Sequence, residues 1–329
     1  MQFGLTAYGT VFYMGLHPKA EKPRITAIQQ MKMAEEYGLE GVELPFDLLV
    51  HANLDEVREY ARDHNLFINI AAGGYDPELL KRVLQLGGNI NARTVRTVVG
   101  GADFGGDRRK MSGKWEAFLH EILVSFQEAV KTAEEVGVHL TVENHQDLAS
   151  EELIWICETI NSDYFGITLD AGNPLATAEV PMDFFSKMAP YIKNVHLKDY
   201  KIYWSDEGYR LARCPVGQGV IDFPALFSLM EEVNPNITLS IEHGALEARH
   251  VRVLQEDYWT EYPDRTAKQL TRLLRFIEDH AFTKGDWRTP YEKGETAEAI
   301  ATYEMEEMAI GMAYLSYLMK KNDTLQLEA

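Results

Sequence analysis

The strongest constraint on this chain is an alternation that runs almost its whole length. Eight short β-type runs, at residues 3–7, 41–44, 66–71, 94–99, 138–143, 166–170, 194–198 and 238–242, are separated mostly by stretches of helical periodicity. Periodic helical patterns cover 25–37, 115–136, 153–160, 182–188, 224–233 and 265–280. In the longest, Phe118, Ile122, Phe126, Ala129, Val130 and Ala133 recur three or four residues apart, as one buried helix face requires. Gly38 and Gly137 stand where two of these helices should end, and glycine is the usual residue just past a helix terminus. Strand–helix alternation implies parallel strands joined by right-handed crossovers. Eight such units within about 280 residues predict a (β/α)8 TIM barrel. A doubly wound open sheet is the competing architecture, but no Gly-x-Gly-x-x-Gly turn follows the first strand, where Leu5-Thr6-Ala7-Tyr8-Gly9 stands instead.

Residues 283–329 fall outside the repeat. A linker with Lys284-Gly285-Asp286 and Thr289-Pro290 leads into a helical pattern carrying Met305, Met308, Met312, Leu315 and Met319 on one apolar seam. The predicted organisation is a barrel over 1–282 and a C-terminal helical extension over 283–329. The seam either packs on its own barrel or docks another subunit, as a homo-oligomer or with a second chain.

Charge and composition narrow the function classes. Acidic residues outnumber basic ones by 51 to 32, a net −19, which repels phosphate backbones and argues against nucleic acid as a partner. No stretch approaches the ~18 consecutive apolar residues of a spanning helix, and the first residues show no signal-peptide pattern. The chain has two cysteines, Cys157 and Cys214, which suits a reducing cytoplasm, with a single buried disulfide as the alternative.

The chemistry is legible at the strand ends. In a barrel of this kind the active site lies at the C-terminal ends of the strands. The last four runs close on Glu143, Asp170, His196 and Glu242, with separations of 27, 26 and 46 residues. The first two separations equal one βα unit, and the third is one unit plus an insertion at 200–216. Side-chain alternation places Glu143 with Thr141, His196 with Asn194 and Lys198, and Glu242 with Ser240. If those faces point at the barrel axis, the four side chains converge. Three carboxylates in a dry barrel mouth repel one another at a cost of several kcal/mol, and a divalent cation is the natural compensator. Three oxygen ligands and one imidazole suit Mn²⁺ best, with Mg²⁺ or Co²⁺ as alternatives. Taken singly, Asp170 can cap a helix, Glu143 or Glu242 can be salt-bridged, and His196 can be an ordinary core histidine.

At these residues the chain resembles the sugar isomerase/epimerase superfamily with xylose-isomerase-like barrels. The matching pieces are Thr-Val-Glu-Asn-His at 141–145, Leu-Asp-Ala-Gly-Asn at 169–173, Val-His-Leu-Lys-Asp at 195–199, Pro-Val-Gly-Gln-Gly-Val-Ile-Asp-Phe at 215–223 and Ser-Ile-Glu-His at 240–243, with Gly-Val-Glu-Leu at 41–44. The resemblance spans residues 1–282 and implies Glu143, Asp170, His196 and Glu242 as ligands of one metal. It also implies action on a ketone or aldehyde of a sugar, by loss of the proton beside the carbonyl to an enediolate that the metal stabilises. Glu143 and Glu242 then belong to the catalytic set as well as to the ligand set.

Two departures from the ketose 3-epimerase pattern matter. Ala149 stands where those enzymes usually carry a second Glu, and Asn173 stands where they usually carry His. His145, on the face of Glu143, becomes the candidate base, with a hydrogen-bonding role as its alternative. The combination is similar to members that dehydrate keto-inositols or open 3-oxo-glycosides by β-elimination, such as C-glycoside deglycosidases. The expected activity is therefore a lyase of the deglycosidase type on a sugar or glycoside, with keto-sugar isomerisation or 3-epimerisation as the alternative.

Candidate substrate contacts are Glu43, Asn173, Lys198 and Arg213. Arg213 lies with Arg210, Tyr203 and Trp204 in the 200–216 insertion, a candidate lid. The Gly100–Gly106 loop can cradle an anion or serve as a plain connector. A multi-zinc nuclease on the same barrel would need more His and Asp ligands and a basic rim. A catalytically silent scaffold would need no intact ligand set.

Overall fold

A computed structural model describes residues 1–244 and 246–327, with side chains as far as 319. Eight parallel strands close into a barrel: β1 (Gln2–Thr6), β2 (Gly41–Pro45), β3 (Phe67–Ala71), β4 (Thr94–Thr97), β5 (His139–Glu143), β6 (Phe165–Asp170), β7 (Ile192–Leu197) and β10 (Thr238–Ile241). Closure is made by β1 pairing in parallel with β10, Gln2 against Thr238 through Leu5 against Ile241. That pairing rules out the open sheet. All eight expected runs are strands, within one or two residues at most ends.

The crossover helices are α1 (Ala27–Glu36), α2 (Phe46–Leu49), α3 (Leu54–Asp63), α4 (Pro77–Asn89), α5 (Trp115–Val136), α6 (Ser150–Ile160), α7 (Pro181–Met188), α8 (Phe223–Val233) and α9 (Ala267–His280). Their ends follow local chemistry. Thr26 and Gln29 form a reciprocal capping box at the start of α1, satisfying backbone donors that have no partner inside the helix. α5 stops where Gly137 turns left-handed, φ 72°, a conformation cheap for glycine alone. α3 and α4 had no sequence expectation. α3 is capped by Asn53 and buries only Val57 and Ala61, so its apolar stripe is too thin to stand out.

The insertion after β7 is ordered structure. β8 (Asp199–Ser205) and β9 (Gly208–Cys214) form an antiparallel hairpin, and β11 (Arg249–Val251) joins its edge. A second hydrophobic core, including Tyr200, Ile202, Tyr209, Leu211, Tyr258, Leu273 and Ile277, lies beneath this small sheet. The lid expectation is corrected accordingly. Tyr203 packs on Phe282 and Arg210 on Trp287, so the hairpin is anchored to the segment after α9. Cys157 and Cys214 are both free and buried, so the disulfide alternative fails.

The C-terminal extension carries one long helix, α10 (Ala297–Leu327); residues 328–329 of the extension lie outside the described residues. Met308, Met312 and Leu315 of the expected seam are buried in the main barrel core. The seam is thus spent on the chain's own barrel, while Met319 stays 37% exposed. Polar contacts fix the same helix over the ends of the strands. Glu304 accepts from the backbone N–H groups of Phe12 and Tyr13, and Glu307 pairs with Arg213 at 2.7 Å. Among the described residues no helix is long and apolar enough to cross a membrane.

Candidate metal centre

The barrel interior is polar where it approaches the strand ends. Asn69 donates to Asn194 and to Thr238 at 3.1 and 3.0 Å, and the hydroxyls of Thr141 and Thr168 meet at 2.8 Å. These residues are fully or almost fully buried and form a hydrogen-bonded floor. Above them stand Glu143, Asp170, His196 and Glu242, brought from β5, β6, β7 and the residue after β10. Each offers one ligand atom, and the four atoms lie within 4.8 Å of one another. Neighbouring register helps: Asp170 pairs with His196, and His196 with Ser240. The convergence expected from the strand ends is what the barrel delivers.

Whether these residues fit a cation is answered by their unmet polar atoms. Glu143 Oε2, Asp170 Oδ2, His196 Nδ1 and Glu242 Oε2 are all buried without a hydrogen-bond partner. Buried polar atoms normally find well-formed hydrogen bonds, and here the four are left only with charge contacts to Arg96, Lys198 and one another at 2.5–3.7 Å, a crowding that a shared cation would relieve. Bonds of about 2.0–2.2 Å to a shared ion put opposite ligands roughly 4 Å apart, close to the observed spread. The charges agree. With His196 neutral, as a metal ligand must be, Glu43, Glu143, Asp170 and Glu242 in their ionised forms face the two cations Arg96 and Lys198, so two negative charges remain for a divalent ion. The group fits.

The electrostatics show what holds the site together without an ion. Burial opposes charge on His196, but Glu43 and Glu242 outweigh it and push the imidazole's pKa up. Burial raises Asp170 to about 6, against the pull of Lys198, and raises Glu143 against Arg96. Glu242 goes the other way, because Lys198 and His196 outweigh its burial and hold it well below the usual range. The site is thus a set of competing charges with a surplus of carboxylates.

Of the four expected contacts, Asn173 and Lys198 stand against the quartet, while Glu43 and Arg213 take different places. Glu43 is fully buried beneath the quartet, where its Oε2 lies 2.9 Å from His196 Nε2 and its Oε1 3.2 Å from Arg96. The expectation that it reaches the substrate is corrected: it is walled off by the residues it supports. Asn173 donates to Glu143 Oε1 at 3.4 Å and accepts from Gln146 at 3.3 Å. Lys198 Nζ bridges Asp170 and Glu242 at 2.5 and 2.6 Å. Arg213 is 4% exposed and fully engaged by Glu307, Gly9 O and Gly244 O, so its place is beneath α10.

The Gly100–Gly106 loop is a connector. The N–H groups of Gly100 and Gly105 are taken by Asp147 and Gln146.

A cavity of about 390 Å³ opens over Glu143 and Glu242, walled by Tyr8, Phe46, Arg96 and His145 among others. His145 is kept neutral: burial, then Lys198 and Arg96, lower its pKa to about 4. Arg96 and Tyr8 went unnoticed in the sequence. Arg96 Nε lies 3.1 Å from Glu143 Oε2, and the Tyr8 ring sits 5.0 Å from its guanidinium. The available signal was an arginine on the face of Thr94, the one charged residue in the run 94–99.

A family model described as xylose isomerase-like TIM barrel matches residues 31–260. The 3-oxo-isoapionate decarboxylase of Pectobacterium atrosepticum is 24% identical over 222 residues, 66% of this chain and 76% of that protein. The uncharacterized protein YihM of Escherichia coli is 25% identical over 224 residues, 64% of each chain. Among solved structures, a D-tagatose 3-epimerase-like protein superposes with TM-score 0.57 at 18% identity, covering 85% of this chain and 98% of that one. The match covers well over half of the sequence and includes every strand end that forms the site, so the chain belongs to the xylose isomerase-like TIM barrel family.

Proposed function

We propose that this protein is a divalent-cation-dependent enzyme that removes a proton beside a ketone of a sugar derivative and expels a β-substituent. The observation that carries the reading is the convergence of Glu143, Asp170, His196 and Glu242 on ligand atoms within 4.8 Å of one another, two of them, Glu143 and Glu242, lining a cavity together with His145. A cation held there supplies Lewis-acid polarisation of a carbonyl, with Mn²⁺ the expected ion.

The chain's own residues do the rest. His145, neutral and next to the ligand Glu143, takes the C2 proton of a 3-oxo-glycoside. The C–H electron pair becomes the C1–C2 double bond as the C1–O bond breaks, and the aglycone leaves with that bond's electrons. Lys198 donates to a substrate oxygen, while Asn173 and Arg96 hold Glu143 in place. Phe46 and Val98 on the cavity wall exclude water from the reacting carbon.

Elimination is favoured over two-base epimerisation by the place of Ala149. It is buried at the start of α6 with its N–H on Glu152, so no second carboxylate reaches the cavity from there. The decarboxylase of Pectobacterium, itself an enzyme of a 3-oxo compound, is in keeping with a ketone substrate.

The test is incubation of the Mn²⁺-loaded protein with aryl 3-oxo-glucosides in D₂O. Aglycone release with chelator-sensitive kinetics is expected, and His145→Ala should slow it by about 10²–10⁴-fold without loss of bound metal. Deuterium at C2 of an intact glycoside, or a moved carbonyl with the glycoside retained, would establish epimerisation or isomerisation instead.

A further inference from the structure

A second polar group stands just beyond the metal centre, next to Tyr200. Arg249, on the edge strand β11, has a side chain 8% exposed. Its Nε and Nη1 have no hydrogen-bond partner. Its nearest carboxylate is Glu247, 3.9 Å away and 43% exposed, too far for a hydrogen bond. Phe104, itself 60% exposed, covers the guanidinium face at 3.5 Å. On the inner side Arg249 meets the buried hydroxyl of Tyr200, which has no other partner.

Tyr200 links this group to the metal site. Its ring presses on Gly172 so closely that a Cβ there would stand 2.7 Å from Cε2. The Gly172 N–H in turn donates to Asp170 Oδ1 at 3.0 Å. The same hypothetical Cβ would lie 3.2 Å from Lys198 Cγ. Arg249 and Tyr200 therefore lie one side chain away from Asp170 and Lys198.

A buried guanidinium that makes no hydrogen bond with two of its nitrogens is costly, by more than the ~1–3 kcal/mol of a neutral group. In a chain of net charge −19 that gives this cation only a half-exposed carboxylate at 3.9 Å, its natural complement is a bound anion. Arginine is the residue best shaped for carboxylate and phosphate.

Resting on the elimination reading, we infer that Arg249, with Tyr200, forms an anion subsite beside the metal centre. The favoured substrate is then an acidic sugar derivative, bearing a carboxylate or a phosphate, rather than a neutral glycoside. Arg249 is here a specificity-determining residue and takes no part in proton transfer.

The experiment is calorimetric titration of the Mn²⁺-loaded protein with D-gluconate, D-glucose 6-phosphate and the neutral polyol D-glucitol. At least one anion is expected to bind tenfold or more tightly than glucitol, and which one does so separates carboxylate from phosphate. Arg249→Gln should erase the preference and leave glucitol binding unchanged, while Arg249→Lys should keep part of it. Thermal melting verifies that each variant is folded. Equal binding of all three probes overturns the subsite. So does an anion preference that survives in a folded Arg249→Gln protein, which would place the anion on the metal. Neither outcome depends on turnover, so failure of the elimination reading shows separately as intact 3-oxo-glucoside.

Discussion

Glu43 Oε2 and His196 Nε2 lie 2.9 Å apart in a fully buried contact. An ionised carboxylate only accepts, so Nε2 must carry the hydrogen. Nδ1, which faces Glu242 Oε2 at 3.0 Å, is then the nitrogen free to bind a cation. This outer partner sets ring orientation and tautomer. Glu43→Gln is expected to weaken Mn²⁺ binding by about 10–100-fold, measured by competition with a fluorescent chelator. Unchanged affinity would mean that the ring is held by packing alone.

Glu143 illustrates a site selected against stability. Its pKa is raised by burial despite Arg96, so the folded protein bears its charge at a cost. In the metal-free protein, Glu143→Gln should melt no lower than wild type. The rise in melting temperature with Mn²⁺, corresponding to about 2.7 kcal/mol at a hundredfold excess over Kd, should shrink sharply. Scanning fluorimetry with and without the ion separates the two effects.

Asp199 explains two of the sequence pieces at once. Its carboxylate accepts from the backbone N–H groups of Tyr200, Gly217, Gly219 and Ile221 at 2.8–3.1 Å. It thereby ties the end of β7 to the segment before α8, and a Cβ on Gly219 would collide with it. Asp199→Ala leaves four donors without their acceptor. A loss of about 3 kcal/mol or more in urea unfolding is expected.

Arg213 and Glu307 form a buried pair beneath α10. Removing one partner strands the other charge, so Arg213→Met and Glu307→Met should each destabilise by about 3–5 kcal/mol. The double variant should recover most of that loss. A double-mutant cycle by chemical denaturation measures the coupling. If Arg213→Met instead folds like wild type and loses only substrate affinity, the guanidinium serves substrate and not the helix.

Glu304 gives the pH dependence. Burial raises its pKa to about 7, although two backbone N–H groups favour the charged form. The folded chain therefore holds this proton at pH values where the unfolded chain, near 4.5, has lost it. Stability from this group is full below about pH 4.5, falls as pH rises toward 7, and is level above. The slope is at most about 1.4 kcal/mol per pH unit. Unfolding free energies at pH 5 and 8 should show the decline, and Glu304→Ala should make it shallower, leaving the share carried by Asp147, Asp170 and Asp199, whose pKa values burial also raises, to about 7, 6 and 6.

The barrel and its quartet were legible in the sequence because both rest on local rules. A strand buried on both faces must be apolar, so a polar residue closing such a run is conspicuous, as Glu143, Asp170, His196 and Glu242 are. Periodicity likewise exposes α5 and the seam of α10. What stayed hidden depends on which strand ends up across the barrel. Glu43 looked like a substrate contact because its run ends in a carboxylate, and only the barrel's closure places His196 above it. Arg213 looked available because a cation in an insertion is usually solvated, and only the packing of α10 brings Glu307 against it. Tyr8 and Arg249 gave no linear signal, and Arg96 gave only its place inside a strand run. Side-chain periodicity is decided within a few residues, whereas partners such as Glu43 with His196 are 153 positions apart and meet only once the sheet has closed on itself.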